Sequence, residues 1–144
     1  MTDPPNTATL LFIAHRAAET QIFEALRTAG FDDLTVAQCR IVQRLSPRGI
    51  RVTDLAEQAQ VTKQTAGALV DELERSGYVV RTTDPADARA RLITLSARGE
   101  KLCAAAAAEV AKVEDEWRTH VGPEAYRRLR EMLMSLREIT DPYC

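Results

Sequence analysis

The run from Thr62 to Leu95 constrains the fold more than any other part of the chain, because it changes its hydrophobic period midway and is sharply punctuated. Ala66, Leu69, Val70 and Leu73 recur at i, i+3, i+4 and i+7, which is the buried stripe of a helix. Thr62 stands just before that stripe as a hydroxyl that can accept from an unpaired backbone N–H, and Gly77 stands where such a helix stops. Tyr78-Val79-Val80-Arg81-Thr82 and Leu92-Ile93-Thr94-Leu95 are then β-prone, with the turn-forming Asp84-Pro85-Ala86-Asp87 between them. Upstream, Thr53 to Gln58 makes about two helical turns, joined to the next helix by the tight link Ala59-Gln60-Val61. Two helices, a short turn and a returning hairpin, in that order, predict a winged helix-turn-helix rather than a piece of a plain bundle.

The flanks are helical. Leu11, Ala14, Ala18, Ile22, Ala25 and Ala29 keep one helix face from Thr7 to Ala29, ended by Gly30. Thr35 opens a second helix expected over 35–46, with Val36, Cys39, Val42 and Leu45 on its apolar side and Ser46-Pro47 and Gly49 as its end. Ile50-Arg51-Val52 is expected to be extended. Ser96 caps a long helix reaching about His120, whose stripe is Leu102, Ala106, Val110, Val113 and Trp117. Gly122-Pro123 breaks it, and Ala125, Leu129, Met132, Leu133, Leu136 and Ile139 give the last helix an apolar face broad enough to need a partner. The fold class is therefore mainly α with a small β-hairpin. An N-terminal dimerisation helix (1–34), a winged lobe (35–95) and a linker plus C-terminal dimerisation helix (96–144) together make one domain. With 144 residues, 45% of them hydrophobic, the chain has the means to bury a core.

Several function classes are disfavoured. The apolar run Thr9 to Ala14 ends at His15 and Arg16, far short of the ~20 residues a spanning helix needs. The first residues lack a secretory leader, so a cytoplasmic location with no membrane partner is expected. Cys39, Cys103 and Cys144 are odd in number and form no CxxC, which suggests reduced thiols, Cys39 as a small buried residue and Cys144 as an exposed terminal one. His15 and His120 have no motif around either, so no metal is expected. Without GxSxG, HExxH or a phosphate-cradling loop, neither catalysis nor a cofactor is indicated. The net charge of −2 argues against nucleic-acid binding by bulk charge, yet Arg81, Arg89, Arg91, Arg98 and Lys101 outnumber Asp84, Asp87 and Glu100 between 81 and 101.

DLAEQAQVTKQTAGALVDELERSGYVVR followed by DPADARARLITLSARGEKL resembles the MarR family of bacterial transcriptional regulators over about residues 34–102. The resemblance implies a homodimeric, sequence-specific DNA-binding protein acting on a pseudo-palindromic operator. It further implies a repressor relieved by a small-molecule effector, with a small aromatic compound as the expected ligand.

With the inward stripe set, Gln64, Ala68, Asp71 and Arg75 point outward, flanked by Thr65 and Gly67. Lys63 then suits phosphate, Gln64 suits adenine and Thr65 a thymine methyl or a hydrogen bond, with the capping Thr62 counted among the DNA-binding residues. Family members often carry Pro at 64, Ser at 67 and a basic residue at 68. Without that basic residue a guanine contact is lost, so direct readout is expected to be modest, with Gly67 admitting close backbone approach. Asp87 and Arg89 match the family's Asp-x-Arg wing pattern, in which the Arg reaches the minor groove and the Asp orients it, while Ala88 replaces a frequent Arg. Arg81 and Arg91 complete the cationic set. For the effector, wedged between the first, second and fifth helices, the candidates are His15, Ile22, Gln38 and Cys39. A winged-helix protein-interaction module, a ligand carrier with a decayed DNA face and a cysteine-based redox-sensing regulator remain the alternatives.

Overall fold

A computed structural model describes residues 3–143, so Cys144 falls outside the described residues. The elements run α1 (Thr7–Thr28), α2 (Val36–Val42), α3 (Val52–Ala59), α4 (Lys63–Arg75), β1 (Val79–Asp84), β2 (Asp87–Leu95), α5 (Ala97–Val121) and α6 (Pro123–Thr140). Two compact units result, one from residues up to Ile22 with those from Ala107 onward, the other Phe23–Ala106.

In the unit Phe23–Ala106, α4 packs against α2, α3 and β1. Ala66, Val70 and Leu73 are fully buried, so the stripe at helical spacing is the face that makes this core. Thr62 accepts from the Thr65 backbone N–H as expected of its cap position. The hairpin is antiparallel, in register from Val79 opposite Leu95 to Thr83 opposite Arg91, with an irregularity between Thr83 and Asp84. A two-stranded ribbon is marginal alone. Here Ile50 forms an isolated antiparallel bridge with Ile93, exchanging both backbone bonds. Gly49 makes this approach possible, since a Cβ there would lie 2.9 Å from Thr94 Cγ2, and its φ is +81°.

Two expectations need correcting in this unit. α2 ends at Val42 rather than near residue 46. The turn tightens through i to i+3 bonds from Arg44 to Ile41 and Leu45 to Val42, and Pro47 disfavours a helical conformation at Ser46. The buried face of α2 is also rotated: Gln38, Ile41 and Val42 are buried while Val36, Cys39 and Leu45 are half-buried. Gln38 tolerates burial because both ends of its amide have a partner, the oxygen accepting from the Thr35 N–H and the nitrogen donating to Glu72 on α4.

The start of α5 closes over the end of α4. Ser96 N–H donates to Tyr78 O at 3.0 Å, the Ser96 hydroxyl donates to Gly77 O, and Arg98 donates to Ser76 O. These contacts satisfy the carbonyls of the three residues that follow α4. Tyr78 is completely buried; its hydroxyl donates to Asp33, and Arg98 lies over its ring at 4.2 Å while pairing with Asp33. Burial, then the bond to Asp33, pushes the Tyr78 pKa well above its ordinary value. Burial pulls the Asp33 carboxyl upward, but the Tyr78 hydroxyl and the Arg98 charge together hold it below its ordinary value.

In the other unit, Val113 and Tyr126 are buried, Arg118 covers the Tyr126 ring and Arg130 reaches Glu114. Val110, expected in the α5 stripe, is 41% exposed, and Leu129, Met132, Leu133, Leu136 and Ile139 on α6 are exposed within the single chain. Leu10, Leu11, Phe12 and Ile13 on α1 are exposed as well. No helix among the described residues is long and apolar enough to cross a membrane.

Gly99 tests the α4–α5 junction directly, because a Cβ there would stand 2.1 Å from Tyr78 O. Gly99→Ala is expected to destabilise the chain by ~1–3 kcal/mol, as overpacking does. Thermal unfolding should register a melting temperature lower by about 3 °C or more. An unchanged melting temperature would mean that α5 does not begin against Tyr78.

Candidate nucleic-acid interface

The first turn of α4 presents polar side chains because the opposite face is occupied by the core. Thr62, Lys63, Gln64 and Thr65 are all exposed, as is Ala68, while Gly67 is half-buried. Thr62 Oγ1 also donates to Thr65 Oγ1 at 2.9 Å, which fixes the threonine pair ahead of any ligand. The cap occupies the Thr65 N–H, the positive dipole end belongs to this same turn, and the exposed Lys63 adds its charge there.

The wing basic residues divide by environment. Arg89 and Arg91 are exposed. The Arg91 guanidinium reaches the Arg81 carbonyl at 3.2 Å across the strands, and among the described residues the Arg89 guanidinium has no ion-pair partner. Arg81 differs: it is only 19% exposed and is held by Asp71 and Glu74 of α4 at 2.6 and 2.8 Å. Its charge faces the helix. The expected bond from Asp87 to the Arg89 side chain is replaced by one from the Arg89 backbone N–H to Asp87 Oδ1 at 3.0 Å. An Asp two residues upstream forms that local loop readily, so the carboxylate shapes the backbone that carries Arg89.

One ion pair escaped the motif reading. Arg51, at the N-terminus of α3, donates Nε and Nη2 to Asp84 Oδ2 at 3.0 and 2.6 Å. Asp84 Oδ1 accepts from the Ala86 N–H at 2.9 Å. The Ala86 N–H, then Arg51, hold the Asp84 carboxyl below its ordinary pKa, while the bond to Asp84 raises that of Arg51. No local pattern signals a pair 33 residues apart.

The effector candidates fall in different units, His15 and Ile22 in one and Gln38 and Cys39 in the other. His15 is exposed, 3.8 Å from Glu19, and Ile22 is half-buried. Gln38 is committed to the α2 cap and Glu72, and Cys39 is half-buried outside any disulfide. Among the described residues no cluster of His, Cys, Asp or Glu could hold a metal ion.

Residues 32–90 match the model of the MarR family. The transcriptional regulator HosA of Escherichia coli O111:H- is 37% identical over 86 residues, a match spanning 59% of this chain and 64% of that protein. The HTH-type transcriptional regulator FarR of Neisseria gonorrhoeae is 31% identical over 132 residues, covering 91% of this chain and 88% of FarR. The chain belongs to the MarR family. It is a winged-helix, DNA-binding transcriptional regulator. Among solved MarR-type structures, that of NadR in complex with 4-hydroxyphenylacetate superposes with TM-score 0.71 at 28% identity, over 96% of this chain and 97% of NadR. The Mycobacterium tuberculosis MarR family protein Rv2887 in complex with salicylic acid gives 0.69 at 27% identity, over 94% and 99%.

Gly67 costs α4 helix propensity with no packing return, since nothing lies within 4 Å of the Cβ it lacks. Gly67→Ala is expected to stabilise the free protein by about 0.8–1 kcal/mol. Circular-dichroism melting should rise by about 2–4 °C; a fall would show that an atom occupies that space.

Proposed function

We propose that this MarR family regulator works as a homodimer that places its two α4 helices in successive major grooves of a pseudo-palindromic operator, with half-sites ~10 bp apart. The observation carrying this reading is the exposure of Thr62, Lys63, Gln64 and Thr65 on a helix whose other face is completely buried at Ala66, Val70 and Leu73. Lys63 and Thr62 meet phosphate, Gln64 pairs with adenine and Thr65 meets a thymine methyl. Gly67 and Ala68 add little direct readout and allow close approach of the helix backbone. Arg89 enters the minor groove and Arg91 supports it from the same strand, while Arg81 supports the wing from its place against α4. The exposed apolar residues of α1 and α6 support dimerisation, because contiguous apolar surface of this kind favours a partner.

The regulator represses, and a small aromatic carboxylate relieves repression by binding better to an arrangement whose α4 helices are wrongly spaced for DNA. The 4-hydroxyphenylacetate held by NadR and the salicylic acid held by Rv2887 support that ligand class. His15, Ile22, Gln38 and Cys39 are the proposed effector residues.

Selection from a randomised duplex library by the full-length protein tests the core of this reading. A pseudo-palindromic, A·T-rich consensus bound at two chains per duplex is expected, and failure to enrich any sequence would remove the regulator from sequence-specific readout. Against the selected duplex, Arg89→Ala should weaken binding by ~1–3 kcal/mol and reduce the salt slope by about one. An unchanged slope would exclude Arg89 from the phosphate and minor-groove contacts.

A further inference from the structure

We propose that the Arg51–Asp84 pair is a latch that positions the wing for DNA, with Arg51 acting as a positioning residue rather than as a phosphate contact. The inference rests on the DNA-binding reading and adds a residue to it that no motif assigned.

The hairpin is held at two places along its length. Its base is pinned by the Ile50–Ile93 bridge. Regular pairing ends at Thr83 opposite Arg91, and the next pair is Asp84 opposite Asp87, after the irregularity. Arg89 sits in that irregular stretch, beyond the last regular pair. The tip therefore lacks the ladder that orders the base, and a short two-stranded ribbon does not hold such an end by itself. Arg51 supplies the missing tie. It reaches from the start of α3 to Asp84 with two N–H groups on one carboxylate oxygen, leaving the other oxygen to organise the turn through Ala86. Asp87 then shapes the Arg89 backbone. A continuous set of contacts runs from the helix-turn-helix through the turn to the residue that enters the minor groove.

The Asp84 side chain is 11% exposed and that of Arg51 41% exposed, so the half-buried carboxylate is the more covered member of the pair while part of the guanidinium remains open. A negative charge in a DNA-binding wing opposes a polyanion. Its presence is accounted for if geometry at the tip matters more than that repulsion. The two effects have opposite signs in one experiment. Asp84→Asn removes a negative charge and releases Arg51 toward phosphate, so simple electrostatics calls for tighter binding. The latch calls for weaker binding.

The measurement uses the full-length protein and the duplex that the wild type selects, titrated across a salt series. Asp84→Asn and Arg51→Gln are each expected to weaken binding about threefold to tenfold, and Arg51→Lys, which keeps one charge-assisted bond to Asp84, to recover part of the loss. In an Arg89→Ala background the Asp84→Asn effect should largely vanish, because the latch acts through Arg89. Hydroxyl-radical footprints of Asp84→Asn should lose minor-groove protection at the wing while methylation protection of purines under α4 persists. Equal or tighter binding by Asp84→Asn overturns the proposal, as does a full Asp84→Asn effect in the Arg89→Ala background. Failure of the wild type to select any duplex sinks the DNA-binding reading itself, whereas failure of the latch leaves wild-type selection intact.

Discussion

The contact between the first turn of α5 and the end of α4 is the constraint on which the rest of the winged unit depends. Gly77 ends α4, and the carbonyls of Ser76, Gly77 and Tyr78 would face solvent or an apolar interior without partners. Arg98 and Ser96 satisfy all of them from the next helix. That arrangement requires backbone to approach backbone at Gly99, where any side chain would strike Tyr78 O. It also buries Tyr78, whose hydroxyl needs Asp33 as acceptor. One glycine and one serine thereby tie α4, the base of the wing and the α1–α2 link to a common point.

The elements most legible in the sequence were those governed by local rules. Ala66, Val70 and Leu73 follow one helical stripe, Thr62 caps, and β-branched residues on either side of Asp84-Pro85 make the hairpin. Such signals are contained within a few residues, so they survive without knowledge of the tertiary structure. α2 was harder to place because its buried face includes Gln38. A polar residue at a core position breaks an apolar count, and only its long-range partner Glu72 shows why burial is tolerated. The early end of α2 likewise reflects tightening of its last turn ahead of Pro47.

Within the candidate interface, exposure of the α4 N-terminus followed from the stripe itself. The roles of Arg81 and Arg51 did not. Both are arginines in or beside strands, indistinguishable by type from Arg89 and Arg91, yet each is paired with carboxylates distant in sequence. Charge counting assigns four such residues equally to DNA, whereas geometry separates those facing outward from those that brace the scaffold. The bracing pairs are partly exposed, so their value lies in direction more than in stability.

The distribution of charge along α4 has a consequence for encounter. Lys63 stands at its start, while Asp71, Glu72, Glu74 and Arg75 occupy its second half, Asp71 and Glu74 paired with Arg81 and Glu72 with Gln38, which leaves a small acidic excess there. Even partly neutralised, that half is unwelcome near phosphate, and the dipole of the helix adds to the same polarity. A net charge of −2 gives the chain no attraction to DNA from its total charge. Within a Debye length, however, the gradient exerts a torque that turns the N-terminal end of the helix forward. If α4 is the element that meets DNA, as proposed, productive association becomes a matter of orientation before contact.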